Sequence, residues 1–301
     1  MGLALDNSGM DGSDYPALYR AADAASLRAQ GAHLRVIRWQ SIFLIVGTAL
    51  GAEALRSSGV AVLSAAIFLA GIALSVLLVV RNYEAVWYRM RAVAESVKTS
   101  TWRFMMRAEP FDSGLSEEAA AAGFRTLLRK ILAEHAHWGE YFGADAAAAE
   151  SITPAMLRVK AKPLEERKDY YKRYRIDEQR AWYADKSDTN LRAGRWWLGG
   201  LIVCQTIAIA LVLLRIYFPE LEDWAVETFA VGAASILTWI QLKRFRELGA
   251  AYGLTAHEIG ILRGELEPVR DERQFSSFVG DTENAFSREH TQWVARKDLQ
   301  A

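Results

Sequence analysis

Uncharged apolar residues in this chain gather into separate runs, and polar residues fill the stretches between them. Arg56 and Arg81 enclose 24 residues without a charge, and Arg195 and Arg215 enclose 19 more. An α-helix needs about 20 apolar residues to cross a bilayer, so both runs predict membrane spans. Two weaker runs lie beside them, giving predicted spans at 39–55, 60–80, 196–214 and 224–242. The first carries Glu53 near its far end. The fourth reaches about 28 Å when drawn back to Trp224, which leaves Glu227 near an interface where a carboxylate still meets headgroup water. Taken singly, spans one and four also fit buried soluble helices. The short loops that tie each to a stronger span favour two hairpins.

Cationic residues orient the hairpins. Fifteen lie beside the long polar segments: Arg20, Arg28, Arg35, Arg38, Arg81, Arg89, Arg91, Lys98, Arg180, Lys186, Arg192, Arg195, Lys243, Arg244 and Arg246. The two hairpin loops hold only Arg56 and Arg215. This bias predicts cytoplasmic termini and a cytoplasmic middle region, with the Ser57–Gly59 loop and the acidic Glu220, Glu222 and Asp223 loop outside. Trp39, Trp196, Trp197, Trp224 and Trp239 fall near span ends, where amphipathic rings anchor at the interface. The first 38 residues hold no apolar stretch long enough for a signal peptide, so the first span is expected to remain as an anchor.

The chain reads as duplicated. Leu34, Arg35, Arg38 and Trp39 lead into span one, and Leu191, Arg192, Arg195 and Trp196 lead into span three 157 residues later. After the hairpins the offset becomes 162, pairing Arg81 with Lys243 and Tyr83 with Phe245. Chance or shared membrane chemistry would also give Arg-x-x-Arg-Trp twice. The repeats keep one orientation, unlike the inverted repeats of many transporters. The pattern predicts segments at 1–14 (disordered), 15–111 (first unit), 112–163 (connecting helix and linker) and 164–301 (second unit).

Beyond the spans, the periodicity predicts a helical bundle. Residues 72–109 lack Gly and Pro, so span two is expected to continue as one helix until Pro110, about 42 Å past the membrane. Trp87, Met90, Ala94, Val97, Thr101 and Phe104 form its apolar stripe. A helix over 117–142 with Ser116 as N-cap would bury Phe124, Leu127, Leu128, Ile131, His135 and Trp138. Residues 164–193 again lack Gly and Pro and predict a long lead-in to span three. Gly249, Gly253, Gly260 and Gly264 share one helix face. That face permits a close crossing, or marks a broken helix. Phe278, Phe286 and Trp293, with Asp281 as N-cap, predict a last amphipathic helix docked on the bundle.

Lys plus Arg equals Asp plus Glu at 36 each, so there is no basic excess and no nucleic-acid partner is expected. The single Cys204 lies in an apolar run and excludes a disulfide scaffold or a zinc cluster within one chain. No Walker loop, G-x-G-x-x-G, G-x-S-x-G or full H-E-x-x-H occurs; His257-Glu258 begins the last, but position 261 is Ile. His135 and His137, two residues apart, diverge by about 160° on a helix, which disfavours a shared metal. No catalytic residue, cofactor or metal is therefore assigned, and an enzyme is not expected. The basic, Tyr-rich stretch Arg158–Arg180 fits either a solvated juxtamembrane helix or an anionic-headgroup or nucleotide site. Within the spans, Gly47 and Gly51, Ala66 and Ala70, and Ala230 and Ala234 repeat the small-x-x-x-small theme of tight packing in lipid. Gln205, Thr206 and Thr238 are the polar groups available to a wet lumen. Four slender spans cannot enclose a wide pore, so conduction would need a homo-oligomer.

With this plan assembled, the chain resembles the SLATT superfamily, two-transmembrane effector domains that accompany SMODS nucleotidyltransferases and SLOG nucleotide sensors in bacteria. The resemblance rests on Arg89-Met90-Arg91-Ala92-Val93-Ala94-Glu95-Ser96-Val97-Lys98 with Trp102-Arg103. In the second half it rests on Arg175-Ile176-Asp177-Glu178-Gln179 through Trp182-Tyr183. The tail Glu283-Asn284-Ala285-Phe286-Ser287-Arg288-Glu289-His290-Thr291-Gln292-Trp293 is the best of these segments. The arrangement looks like two SLATT units in tandem. The resemblance implies a bacterial inner-membrane effector of a nucleotide-linked, anti-phage conflict system that forms a pore or perturbs the bilayer when triggered. It also implies a nucleotide-second-messenger synthase or sensor encoded nearby as partner. The alternative is a non-conducting scaffold that docks a cytoplasmic enzyme. The expected fold class is an all-α integral membrane protein: four spans in two hairpins, their long helices continuing into a cytoplasmic bundle.

Overall fold

A computed structural model describes residues 9–54, 57–143, 150–219 and 224–298, without side chains at 52–53 and 288–298. The acidic loop with Glu220, Glu222 and Asp223, Arg56, most of the N-terminal segment, and the side chains of Glu53 and Trp293 thus lie outside the described residues. Among those described, all regular structure is helical: α1 Ala17–Ala54, α2 Ser58–Arg81, α3 Tyr83–Met105, α4 Glu117–Glu134, α5 Pro154–Lys160, α6 Leu164–Tyr171, α7 Glu178–Tyr217, α8 Trp224–Lys243, α9 Phe245–Glu265 and α10 Glu272–Asp298. Among the described residues four stretches are long and apolar enough to cross a membrane; they contain the predicted spans 60–80, 196–214 and 224–242 and residues 39–51 of the first. The protein is an all-α membrane protein.

Contacts divide the chain into two compact units. One gathers the chain up to Gln30, Glu84–Ala181 and the chain from Ala256. The other gathers Gly31–Tyr83 and Trp182–Thr255, which hold the spans.

The first unit has a solid aromatic core. On α3, Met90, Ala94, Val97, Thr101 and Phe104 are buried as their spacing predicts, while Trp87 is half-buried. Phe104, Phe111 and Phe124 form a ring triangle with centroids 4.8–5.8 Å apart. Trp102, 1% exposed, packs against Tyr171 at 5.7 Å and donates its indole N–H to Tyr15 Oη at 3.1 Å. Ser116 caps α4 by accepting from Ala119 N at 3.2 Å. That helix stops at Glu134, and a 3-10 segment covers Ala136–Tyr141 with a kink at Trp138, so the predicted single helix over 117–142 is two pieces. His135 and Trp138 are accordingly only half-buried.

Three further expectations change. First, α2 and α3 are separate helices, because Asn82 adopts a left-handed conformation at φ 43° while its N–H still reaches Leu78 O at 3.3 Å. Asn tolerates that region better than most residues, so the chain turns there without Gly or Pro. Second, the stretch taken for a linker contains α5, capped by Thr153 and buried through Met156 and Val159. Third, the last helix begins at Glu272. Asp271 caps it by accepting from Gln274 N at 2.9 Å, and Asp281 lies in its interior. Phe275, Phe278 and Phe286 dock it on the unit's core.

The basic stretch is solvated only in part: Arg158, Arg173 and Arg180 are exposed, but four of its cations turn inward. Lys160, Arg167, Lys168 and Arg175 are all buried. Lys160 Nζ donates to Glu117 at 2.5 Å and holds that carboxyl below its ordinary range. Arg167 pairs with Glu272 and donates to Met106 O at 2.7 Å. Lys168 Nζ donates to Val269 O at 2.8 Å. A π-helical turn over Lys172–Asp177 joins α6 to α7 and carries Arg175 into the core. There Arg175 grips Glu283 of α10 with two prongs, Nε to Oε1 at 2.8 Å and a terminal nitrogen to Oε2 at 2.7 Å. Tyr171 Oη donates to the same carboxylate at 2.9 Å. Burial works against the Arg175 charge, but Glu283 overrides it and holds the guanidinium firmly protonated. Nearby, burial and then the Arg175 charge push the Lys98 ammonium below its ordinary range.

Candidate functional site

The spans are the chain's most distinctive surface, and their packing is specific. In the first hairpin α1 meets α2 at Gly47. A Cβ there would stand 2.9 Å from the Phe68 ring, and Ser64 Oγ donates to Gly47 O at 3.1 Å. Nearer the other end, Gln40 Nε2 donates to Ser75 Oγ at 2.8 Å, and Ser75 donates in turn to Gly71 O at 3.1 Å. The contact face of α2 is therefore Ser64, Phe68, Gly71 and Ser75, at helical spacing. Polar pairs of this kind join helices where lipid offers no hydrophobic drive. Of the small residues singled out from the sequence, only Gly47 makes such an approach. Gly51 has nothing within 4 Å of its Cβ position, Ala66 is exposed and Ala70 half-exposed. Sequence reasoning missed Ser64 and Gly71, whose signal was simply their place one turn either side of Phe68.

The second hairpin packs through Leu201 and Ala233, the buried residues of its spans, while Ala230 and Ala234 are exposed. Gln205, Thr206 and Thr238 are exposed as well. Each Thr hydroxyl closes on its own helix, Thr206 on Ile202 O at 2.8 Å and Thr238 on Ala234 O at 2.9 Å. One copy of the chain encloses none of the three. Cys204 is half-buried in span three.

After span four, Arg244 is left-handed at φ 46°, 162 residues beyond Asn82. Its N–H reaches Ile240 O at 2.9 Å. The two hairpins thus end in the same backbone turn at positions that the sequence offset pairs. Phe245 follows and packs its Cβ 3.1 Å from the Cβ position of Gly194. All four glycines of the predicted face sit on the unbroken α9. Gly249 and Gly253 let α9 lie against α7: Leu191 Cγ stands 2.7 Å from the Gly249 Cβ position, and Ser187 Oγ donates to Gly249 O at 2.7 Å. Ser187 Oγ is 3.1 Å from the Gly253 Cβ position. The Gly260 Cβ position is 3.5 Å from Arg180 Nε, and that of Gly264 has nothing within 4 Å among the described residues.

Of the interface tryptophans, Trp196 is the most exposed at 83%, with Trp39, Trp197 and Trp224 also exposed. Trp239 is half-buried, its ring 6.0 Å from that of Trp197.

No group of His, Cys, Asp and Glu among the described residues could hold a metal. His135 Nδ1 sits 2.9 Å from Ile131 O, and His137 is exposed. A cavity of about 350 Å³ in the first unit places Arg20 and Arg158 beside Asp14 and Glu150, so its charges offset one another.

Hairpins followed by amphipathic helices recur twice, and the family comparison matches that plan. A family model described as SMODS and SLOG-associating 2TM effector domain 3 covers residues 16–168. A second, described as SMODS and SLOG-associating 2TM effector domain 1, covers residues 171–293. The chain belongs to the SLATT superfamily. It carries two different SLATT domains in tandem, and the first match runs through α4, α5 and most of α6 as well as the first hairpin. No curated protein and no solved structure matches the chain. SLATT domains are two-transmembrane effector domains of the SMODS- and SLOG-associating kind, so the chain carries two membrane effector domains.

Proposed function

We propose that the tandem SLATT protein is a bacterial inner-membrane effector that assembles with further copies of itself and permeabilises the bilayer when its cytoplasmic helices are triggered. On this reading it serves antiviral defence, carries out no catalysis, and takes its trigger from a nucleotide-second-messenger synthase or sensor encoded nearby. Both termini would lie in the cytoplasm, a reading that the cationic bias supports.

The observation that carries the reading is Gln205. It lies at the middle of the predicted third span, 196–214, and its side chain is exposed. An amide facing hydrocarbon is costly, and a partner helix or water relieves that cost. The open space beside half-buried Gly51 and the exposed Ala66, Ala230 and Ala234 would allow another copy to approach closely.

Full-length protein reconstituted at rising density into dye-loaded vesicles tests this. Leakage is expected to climb more steeply than in proportion to density. Gln205→Leu and Gly51→Ile are each expected to cut it roughly tenfold while the helical content holds, since neither residue packs within one chain. Vesicles that stay tight at densities where cross-linking shows assembled oligomers would refute pore formation. Tight vesicles with a firmly retained cytoplasmic enzyme would favour the scaffold.

A further inference from the structure

Two cations from different hairpins converge on one indole at the predicted cytoplasmic ends of the spans. The Arg38 guanidinium carbon, on α1, lies 5.1 Å from the Trp239 ring centroid. Lys243 Nζ, one turn beyond Trp239 on α8, lies 5.9 Å from the same centroid. Trp197, on α7, tilts against Trp239 at 54°. Three helices therefore build the cluster, all within the span unit.

The cluster offers donors and cations without an acceptor. Among the described residues, neither Arg38 nor Lys243 has a carboxylate within ion-pair distance, although acids equal bases across the chain at 36 each. Arg38 bears electrostatically on Lys243, and like charges held close repel. Trp239 Nε1 is buried and donates to no group among the described residues. A guanidinium and an ammonium beside one indole call for the same occupant, a phosphate. Their place at a membrane interface, beside exposed Trp196 and Trp197, puts lipid phosphates within reach.

The internal repeat supplies a natural contrast. The offsets of 157 and 162 pair Arg38 with Arg195 and Lys243 with Arg81, so both cations are duplicated. The offset of 162 pairs Trp239 with Leu77, so the ring is not. Arg81 and Arg195 are exposed, and among the described residues neither lies over an aromatic face.

We propose that Arg38, Lys243 and Trp239 form a phosphate site that holds one anionic phospholipid headgroup per chain. The site rests on the membrane reading of the spans, and it would anchor the two hairpins to each other through lipid.

Native mass spectrometry of the full chain tests it, in mild detergent with equal phosphatidylglycerol and phosphatidylcholine. One phosphatidylglycerol is expected to remain per chain. R38Q/K243Q is expected to lower its retention roughly tenfold, and W239L to lower it in the same direction. R81Q/R195Q, with the same loss of charge, is expected to keep it, as is the conservative R38K/K243R. If R38Q/K243Q does not fold by circular dichroism, K243Q alone gives the reading. Excess inorganic phosphate that leaves the lipid in place identifies a headgroup site; displacement identifies a site for soluble phosphate. Equal retention of both lipids by the wild type, or equal loss in R38Q/K243Q and R81Q/R195Q, overturns the proposal. A chain that stays soluble without detergent would instead defeat the membrane reading itself.

Discussion

Replacing Glu283 by Ala is expected to destabilise the first unit by about 3–5 kcal/mol, the usual cost of stranding a buried charge. Arg175 and Glu283 are 2% and 0% exposed, so solvent cannot reach the guanidinium once its partner is gone. The carboxylate also accepts from Tyr171, and Phe286 packs 4.7 Å from the Arg175 guanidinium, so one truncation disturbs the hold on α10. Denaturant unfolding of the detergent-solubilised protein, followed by tryptophan fluorescence, reads the change. A double Arg175→Met, Glu283→Leu variant is expected to lose less than Glu283→Ala, because it buries no charge and strands only the Tyr171 hydroxyl. A loss under 1 kcal/mol for Glu283→Ala would mean that the pair is not shielded as described.

Gly249→Ile is expected to cost about 1–3 kcal/mol through overpacking, and to separate α9 from α7. The added Cβ alone would stand 2.7 Å from Leu191 Cγ and 3.3 Å from the Ser187 carbonyl oxygen. A leucine side chain can swing aside, but backbone cannot. The hydrogen bond from Ser187 to Gly249 O would lengthen as well. Gly264→Ala on the same helix meets nothing within 4 Å and is expected to stabilise it, by up to about 1 kcal/mol from helix propensity. Thermal melts of both variants check the contrast. If the two substitutions lower the melting temperature equally, the α7–α9 crossing does not depend on a bare backbone.

The spans were legible because bilayer thickness writes itself into composition: a run of 24 uncharged residues has few other uses. The α3 stripe was legible for the same kind of reason, since burial of one helix face repeats every three or four residues. Asn82 and Arg244 were not. Arg244 carries no turn signal of its own, and its left-handed backbone accompanies tertiary packing, with Phe245 seated on Gly194. Aligned by the 162-residue offset, however, Asn82 would have marked it. The buried role of Arg167, Lys168 and Arg175 was also hidden. Charged residues are presumed solvated until partners far along the chain are known, and Glu272 and Glu283 lie about a hundred residues on. In the spans, apolar spacing identified small residues but not which of them face the chain's own helices. Gly47 packs and Gly51 does not, a difference set by how the hairpin crosses rather than by the motif.

Sidedness is the claim on which the proposed effector role turns, because the helices beyond the spans must face a cytoplasmic trigger. Its most direct test is labelling of single cysteines, in a Cys204→Ser background, by a membrane-impermeant maleimide on intact spheroplasts. Ser57→Cys, in the first hairpin loop, is expected to react before lysis. Gly139→Cys, exposed on the first unit, is expected to react only after it. Labelling of Gly139→Cys in intact spheroplasts, with Ser57→Cys protected, would contradict the account.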